Sequence, residues 1–229
     1  MKTTTELNEA LKDALKTPEI LYRAPCVNWK GEVSDGTKDF YSELIAKELL
    51  INTNLDDIKR VINKLGYFPH NGKKAIKNEK SNRWEEKIAI DLYNKGIDGE
   101  GSEKTGIVVE YQVPIYRATP QLSYGEIDLV SYNETDNILY LIELKAPNND
   151  NDTLLRSILE IETYSRQIIE DSLRVELLNL KACKVRPDCF IKKALLFYEY
   201  NGEKCRAHKE YDELLDGFRP NTKKLMDKD

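Results

Sequence analysis

Apolar residues in the first third of the chain recur at helical spacing. Leu7, Leu11 and Leu15 lie four residues apart, as they do on one face of an α-helix. This periodicity predicts helices over residues 5–15, 40–50 and 55–65. Residues 1–80 are therefore predicted to form a helical N-terminal extension, with substrate binding as its candidate role.

From residue 81 the pattern alternates between helices and strands rich in Val, Ile and Tyr. Helices are predicted over 83–95 and 153–182, and strands over 107–117, 125–132, 138–146 and 190–200. The order helix, three strands, helix, strand predicts an α/β fold class. We place this core at 81–205, followed by a polar C-terminal tail over 206–229 with a candidate short helix around 211–215.

Composition narrows the classes of protein to consider. The chain has 229 residues, of which 40% are hydrophobic and 33% charged, so it can bury a core and is not expected to be disordered. It contains no apolar run near the length of a membrane span and no secretory signal at its start, so we expect a cytoplasmic protein with no membrane partner. The net charge of -5 means that phosphate binding would need a local basic patch or metal ions.

A locally basic tract precedes the core. Five of its side chains are candidates for contacts with a nucleic-acid backbone: Lys73, Lys74, Lys77, Lys80 and Arg83. The alternative is a solvated face or a mobile linker, which is what most charge runs of this kind form.

Two neighbouring strands carry a set of charged residues among apolar ones. Glu126 and Asp128 share one face of the first strand, and Glu143 and Lys145 share one face of the second, because strand side chains alternate between faces. A hairpin would bring these pairs together. Clustered carboxylates repel one another, and Mg²⁺ or Mn²⁺ would remove that repulsion with the oxygen ligands that such ions prefer. Solvated charges on an edge hairpin are the alternative.

The helix before these strands supplies a further acid. On a helical wheel, Glu85 lies near the middle of the face formed by Trp84, Ile88, Ala89 and Leu92. An acid at that position indicates a contact with the site, although an acid near a helix N-terminus is also favoured by the helix dipole. Glu86 lies toward the edge of the same face and is the other candidate.

Asp128 and the sequence Glu143-Leu144-Lys145, with the order of elements around them, resemble the PD-(D/E)XK nuclease superfamily. The resemblance covers residues 82–200 and implies a restriction-endonuclease-like core; Ile127 stands where the family name has proline. It implies that Asp128, Glu143, the Leu144 backbone carbonyl and Glu85 bind the metal ion, and that Lys145 orients the attacking water. Glu85, Asp128, Glu143 and Lys145 are then the catalytic candidates.

Weaker candidates are Glu126 and three residues of the predicted long helix, Glu162, Tyr164 and Gln167. The resemblance suggests a Tyr or Gln near the substrate on that helix. The wheel places Tyr164 at the edge of the apolar face and Gln167 on the polar side. Glu162 could instead form an internal ion pair with Arg166.

Together these features predict a metal-dependent nuclease that acts on nucleic acid, with DNA as the expected substrate. The alternative is a catalytically inactive module of the same fold that binds nucleic acid or a protein partner. Cutting both strands of a duplex would require a homodimer. The sequence leaves open DNA against RNA, endonuclease against exonuclease, and the biological role.

Overall fold

The computed structural model describes residues 1–51, 58, 70, 72–116, 123–179 and 185–228 of the chain. Its helices are α1 (Thr4–Ala14), α2 (Tyr41–Ile51), α3 (Trp84–Ile97), α4 (Leu154–Gln167), α5 (Glu170–Leu178), α6 (Arg206–Leu215) and α7 (Pro220–Met226). Its strands are β1 (Gly101–Ser102), β2 (Gly106–Tyr116), β3 (Ser123–Asn133), β4 (Ile138–Lys145) and β5 (Phe190–Phe197). The helix predicted over 55–65 lies outside the described residues, Ile58 excepted.

The contacts between residues divide the chain into two units. The first unit contains the described residues of 1–59, 147–163 and 197–229, and the second contains those of 60–146 and 164–196. These divisions differ from the boundaries predicted at residues 80 and 205, because segments distant in sequence pack together. Helix α4 contributes residues to both units.

The second unit is built on a five-stranded sheet in the order β1-β2-β3-β4-β5. Strands β1 to β4 are antiparallel neighbours, with Tyr111 opposite Leu129 and Leu129 opposite Ile142. Helix α3 packs against β2, where Gly96 allows a close approach: a Cβ there would lie 2.0 Å from the Val108 carbonyl oxygen. The predicted α/β class is confirmed.

The helix predicted over 153–182 is wrong as a single element. Helix α4 ends at Gln167 and α5 begins at Glu170, with Ile169 in an extended conformation between them (φ -89°, ψ 104°). Both Ile168 and Ile169 are β-branched, and such residues lose side-chain freedom in a helix. Ile168 is nevertheless buried, so the apolar stripe continues across a break that its spacing does not reveal.

The predicted polar tail over 206–229 contains α6 and α7 and belongs to the first unit. These helices bury Ala207, Leu214 and Leu225. Polar contacts to residues far along the chain, such as Thr222 with Glu43, add to this burial, and composition alone does not report them. We correct that prediction: this segment is folded.

Two buried carboxylates hold the ends of helices in the first unit. Glu43 of α2 accepts hydrogen bonds from the backbone N–H groups of Asn221 (2.8 Å) and Thr222 (2.9 Å) at the start of α7. Glu210 of α6 accepts one from the N–H of Leu154 (2.8 Å) at the start of α4. The first N–H groups of a helix have no partner within it, so these acids act as caps supplied from elsewhere in the chain.

Glu43→Ala is expected to lower the free energy of unfolding by about 1–3 kcal/mol, because it leaves the start of α7 without its acceptor. Urea unfolding measures the change. Glu9→Ala, at an exposed position on α1, is the matched control and should change stability by less than about 0.5 kcal/mol. Equal effects of the two variants would show that the cap contributes nothing.

Candidate active site at the end of strand β4

Two carboxylates accept hydrogen bonds from backbone N–H groups of alternate residues at the end of β4. Leu129 opposite Ile142 is the last cross-strand pair at this end of the β3–β4 ladder. Beyond it, Oδ2 of Asp128 accepts a hydrogen bond from the N–H of Leu144 (2.8 Å). Alternate N–H groups of a strand point to the same edge, and the next one, of Ala146, donates to Oε1 of Glu85 (3.2 Å). The acids of β3 and α3 thus meet on one edge of β4.

The third carboxylate of this cluster pairs with the lysine. Glu143 and Lys145 are each 3% exposed, and Nζ of Lys145 lies 2.7 Å from Oε1 of Glu143. Being two residues apart on a strand, they lie on the same face, as the alternation of the sequence predicted. Each charge offsets the cost of burying the other. Their attraction is stronger away from water, and this stabilises the contact.

The end of β4, over residues 143–146, therefore carries or contacts four predicted site residues: Glu85, Asp128, Glu143 and Lys145. Glu85 and Asp128 are half-buried, so the cluster extends from a buried ion pair toward more accessible carboxylates. The structure brings these four predicted residues together; their catalytic roles stay predictions. Glu86, the alternative helix acid, instead pairs with Arg83 (3.2 Å).

The donor set suits a hard divalent cation in kind, because it consists of carboxylates from neighbouring elements. Within the described residues, however, no three His, Cys, Asp or Glu side chains are grouped so as to hold a metal ion. The cation that Glu143 binds in this structure is the ammonium of Lys145. The backbone N–H of Leu144 donates a hydrogen bond to Asp128. The metal-binding role of the Leu144 carbonyl stays a prediction.

The weaker candidates fall in different environments. Glu126 is exposed, and Glu162 is half-buried in the part of α4 that belongs to the first unit. Tyr164 is buried rather than at an edge, and its ring packs on the backbone of Gly125, three residues before Asp128. A Cβ at Gly125 would lie 2.1 Å from the Tyr164 hydroxyl, and the φ of +152° also favours glycine.

The placement of Gln167 on a polar face is wrong. This residue is 1% exposed, and neither amide atom of its side chain has a hydrogen-bond partner among the residues that the structure describes. The wheel assumed that the helix continued, whereas α4 ends at Gln167 and the break sets the surroundings of the side chain.

The basic tract is largely neutralised by acids of its own unit. Lys74 pairs with Asp98 (2.7 Å) and Lys77 with Asp91 (3.0 Å), in addition to the Arg83–Glu86 pair. Lys73 and Lys80 are exposed. A phosphate backbone would therefore compete with these acids for three of the five predicted basic side chains.

Sequence reasoning missed a buried acid on β2. Glu110 is 0% exposed, and its Oε1 lies 2.6 Å from Nδ1 of His70, whose ring stacks on Tyr111 at 3.9 Å. The pKa of nearby Tyr93 is raised to about 12, chiefly by burial and to a lesser extent by the negative charge of Glu110. An acid within the Val- and Tyr-rich strand was the available signal. Its carboxylate binds both the backbone N–H and the ring of His70 and so anchors that residue beside β2.

Lys145→Met is expected to lower the free energy of unfolding by about 3–5 kcal/mol, because it removes the ammonium from the buried Glu143 carboxylate. The double variant Glu143→Leu/Lys145→Met should recover most of the loss, since a buried apolar pair needs no compensating charge. Denaturant unfolding gives both values. Lys192→Met, at an exposed position on β5, is the control. A double variant no more stable than Lys145→Met would contradict this reading of the ion pair.

Comparisons with protein-family models, curated proteins and solved structures gave no significant match to this chain. Within the described residues, no helix has the length and apolar character needed to cross a membrane. The geometry at the end of β4 is therefore the basis on which a function is proposed.

Proposed function

We propose that this chain is a metal-dependent nuclease that hydrolyses phosphodiester bonds of DNA through a restriction-endonuclease-like core. The observation that carries the proposal is the meeting of Glu85, Asp128, Glu143 and Lys145 at the end of β4. Three acids from three elements, one of them paired with a lysine, are costly to maintain in a partly buried place. Phosphodiester hydrolysis assisted by Mg²⁺ or Mn²⁺ makes use of every member of the set.

The order of elements supports the fold part of the proposal. Helix α3 supplies one acid, β3 and β4 supply the central acids and the lysine, and α4 and β5 follow. This order matches the resemblance drawn from the sequence, with the short strand β1 and the helix α5 as additions.

Each acid has a backbone or side-chain contact that fixes its position. Asp128 and Glu85 are oriented by the N–H groups of β4. Such preorganised anionic oxygens would hold a divalent cation at little reorganisation cost. A bound Mg²⁺ would supply Lewis acidity and neutralise charge on the phosphate. Lys145 would orient the attacking water through its ammonium hydrogens.

Charge explains why a metal ion would be needed for binding as well as for chemistry. The chain carries a net charge of -5, and three of the predicted basic contacts are paired with acids. Without a divalent cation the cluster would repel the phosphodiester backbone. DNA binding without metal should therefore be weak and strongly dependent on salt concentration.

A catalytically inactive module that binds nucleic acid or a protein partner is the second candidate. The observation that favours it is the closed Lys145–Glu143 ion pair, together with the lack of a three-acid metal group among the described residues. In that case the ion pair would be a structural element, and the position of Glu143 would never admit another cation.

Cleavage of plasmid and single-stranded DNA should require Mg²⁺ or Mn²⁺ and stop in EDTA. Asp128→Asn should reduce the single-turnover rate by about 100-fold or more, because it removes the charge while keeping an oxygen that can accept from Leu144. Glu134→Gln, an exposed acid in the β3–β4 turn, is the matched control and should cleave normally. Cleavage by Asp128→Asn at the wild-type rate would refute the assignment. No cleavage by the wild type on any substrate would favour the second candidate.

Lys145→Met should bind Mn²⁺ about tenfold more tightly than the wild type, a difference of about 1.4 kcal/mol, because the ammonium no longer competes for Glu143. Isothermal titration calorimetry measures the affinity, and circular dichroism confirms that the variant is folded. Lys192→Met controls for the loss of a positive charge. Equal or weaker binding by Lys145→Met would show that the metal ion and the ammonium do not exclude each other.

A further inference from the structure

Gln112 has a backbone conformation that is unusual for its place in the fold. It lies in the middle of β2 with φ +46°, in the left-handed region that non-glycine residues rarely occupy. The other described non-glycine residues with positive φ, Lys38, Asn137 and Asn201, lie in turns or loops. Such conformations persist only where surrounding structure enforces them, and they occur often at functional sites.

The strand register places Gln112 directly across from Asp128. Tyr111 is opposite Leu129 and Val113 is opposite Ile127, so these pairs flank it on both sides. The register is constant from Glu110 to Ile115, and the irregularities lie outside that stretch. The positive φ therefore does not serve to accommodate an inserted residue at this position.

Gln112 and Asp128 also share their degree of exposure. Both are half-buried, whereas their neighbours along the two strands are buried: Tyr111, Val113, Ile127 and Leu129. On the face that Asp128 occupies, Glu126 is also exposed, so the sheet is accessible over Glu126 and the Gln112–Asp128 pair. A ligand that reaches Asp128 along this part of the sheet meets Gln112 next to it.

We infer that Gln112 is a substrate-positioning residue whose side-chain amide donates a hydrogen bond to a non-bridging oxygen of the phosphodiester beside Asp128. This inference rests on the proposed nuclease function. A neutral amide suits the position, because an acid there would repel the phosphate and a lysine would pair with Asp128.

The test compares Gln112→Gly with Lys38→Gly. Both replacements relieve a positive φ, so both should raise the thermal midpoint of unfolding. Lys38 is exposed in a loop of the first unit and has no place in the site, so Lys38→Gly should cleave DNA like the wild type. Gln112→Gly should be more stable and yet cleave at least about tenfold more slowly in single turnover. A purely structural role would not combine higher stability with lower activity.

Affinity for an oligonucleotide, measured by fluorescence anisotropy in Ca²⁺, gives a second readout that does not depend on turnover. If the wild type cleaves and Gln112→Gly matches it in rate and affinity, the inference is overturned while the proposed function stands. If the wild type does not cleave, the proposed function fails; a tenfold loss of affinity in Gln112→Gly alone would still support the phosphate contact, and unchanged affinity would overturn it. A lowered thermal midpoint in Gln112→Gly would also overturn it.

Discussion

The buried ion pair between Glu143 and Lys145 is the constraint on which the arrangement of the candidate site depends. The two side chains are almost fully removed from water and in direct contact, so separating the two charges would be costly. This fixes the end of β4. The backbone N–H groups at that end then orient the carboxylates of Asp128 and Glu85. The pair also places a positive charge against the Glu143 carboxylate, with which a divalent cation at that carboxylate would compete.

Carboxylates also accept backbone N–H groups in the first unit, where they stabilise the fold. There, Glu43 and Glu210 bind the starts of helices that lie far from them in sequence. Carboxylates that accept backbone N–H groups thus join distant segments in one unit and shape the candidate site in the other. The surroundings of these carboxylates differ. Glu43 accepts hydrogen bonds from Asn221 and Thr222 at the start of a helix, whereas Asp128 lies at a strand end with two more acids and a lysine.

Local pattern was enough to predict much of the second unit. The alternation of Asp128 with Ile127 and of Glu143 with Leu144 gave both strands and the faces of the charged residues. The break after Gln167 could not be predicted, because Ile168 and Ile169 continue the apolar stripe through it. The folded C-terminal segment depends on contacts between residues about 180 positions apart, such as Glu43 with Thr222, which local spacing does not report.

We propose that Glu143 and Asp128 together bind a divalent cation that competes with the ammonium of Lys145 for Glu143. A crystal soaked in Mn²⁺, with anomalous diffraction recorded from the metal, tests this most directly. We expect an anomalous peak about 2.1 Å from oxygens of Asp128 and Glu143, with Nζ of Lys145 moved off Glu143. A crystal without a peak there, with the Lys145–Glu143 contact intact at high Mn²⁺ concentration, would contradict it.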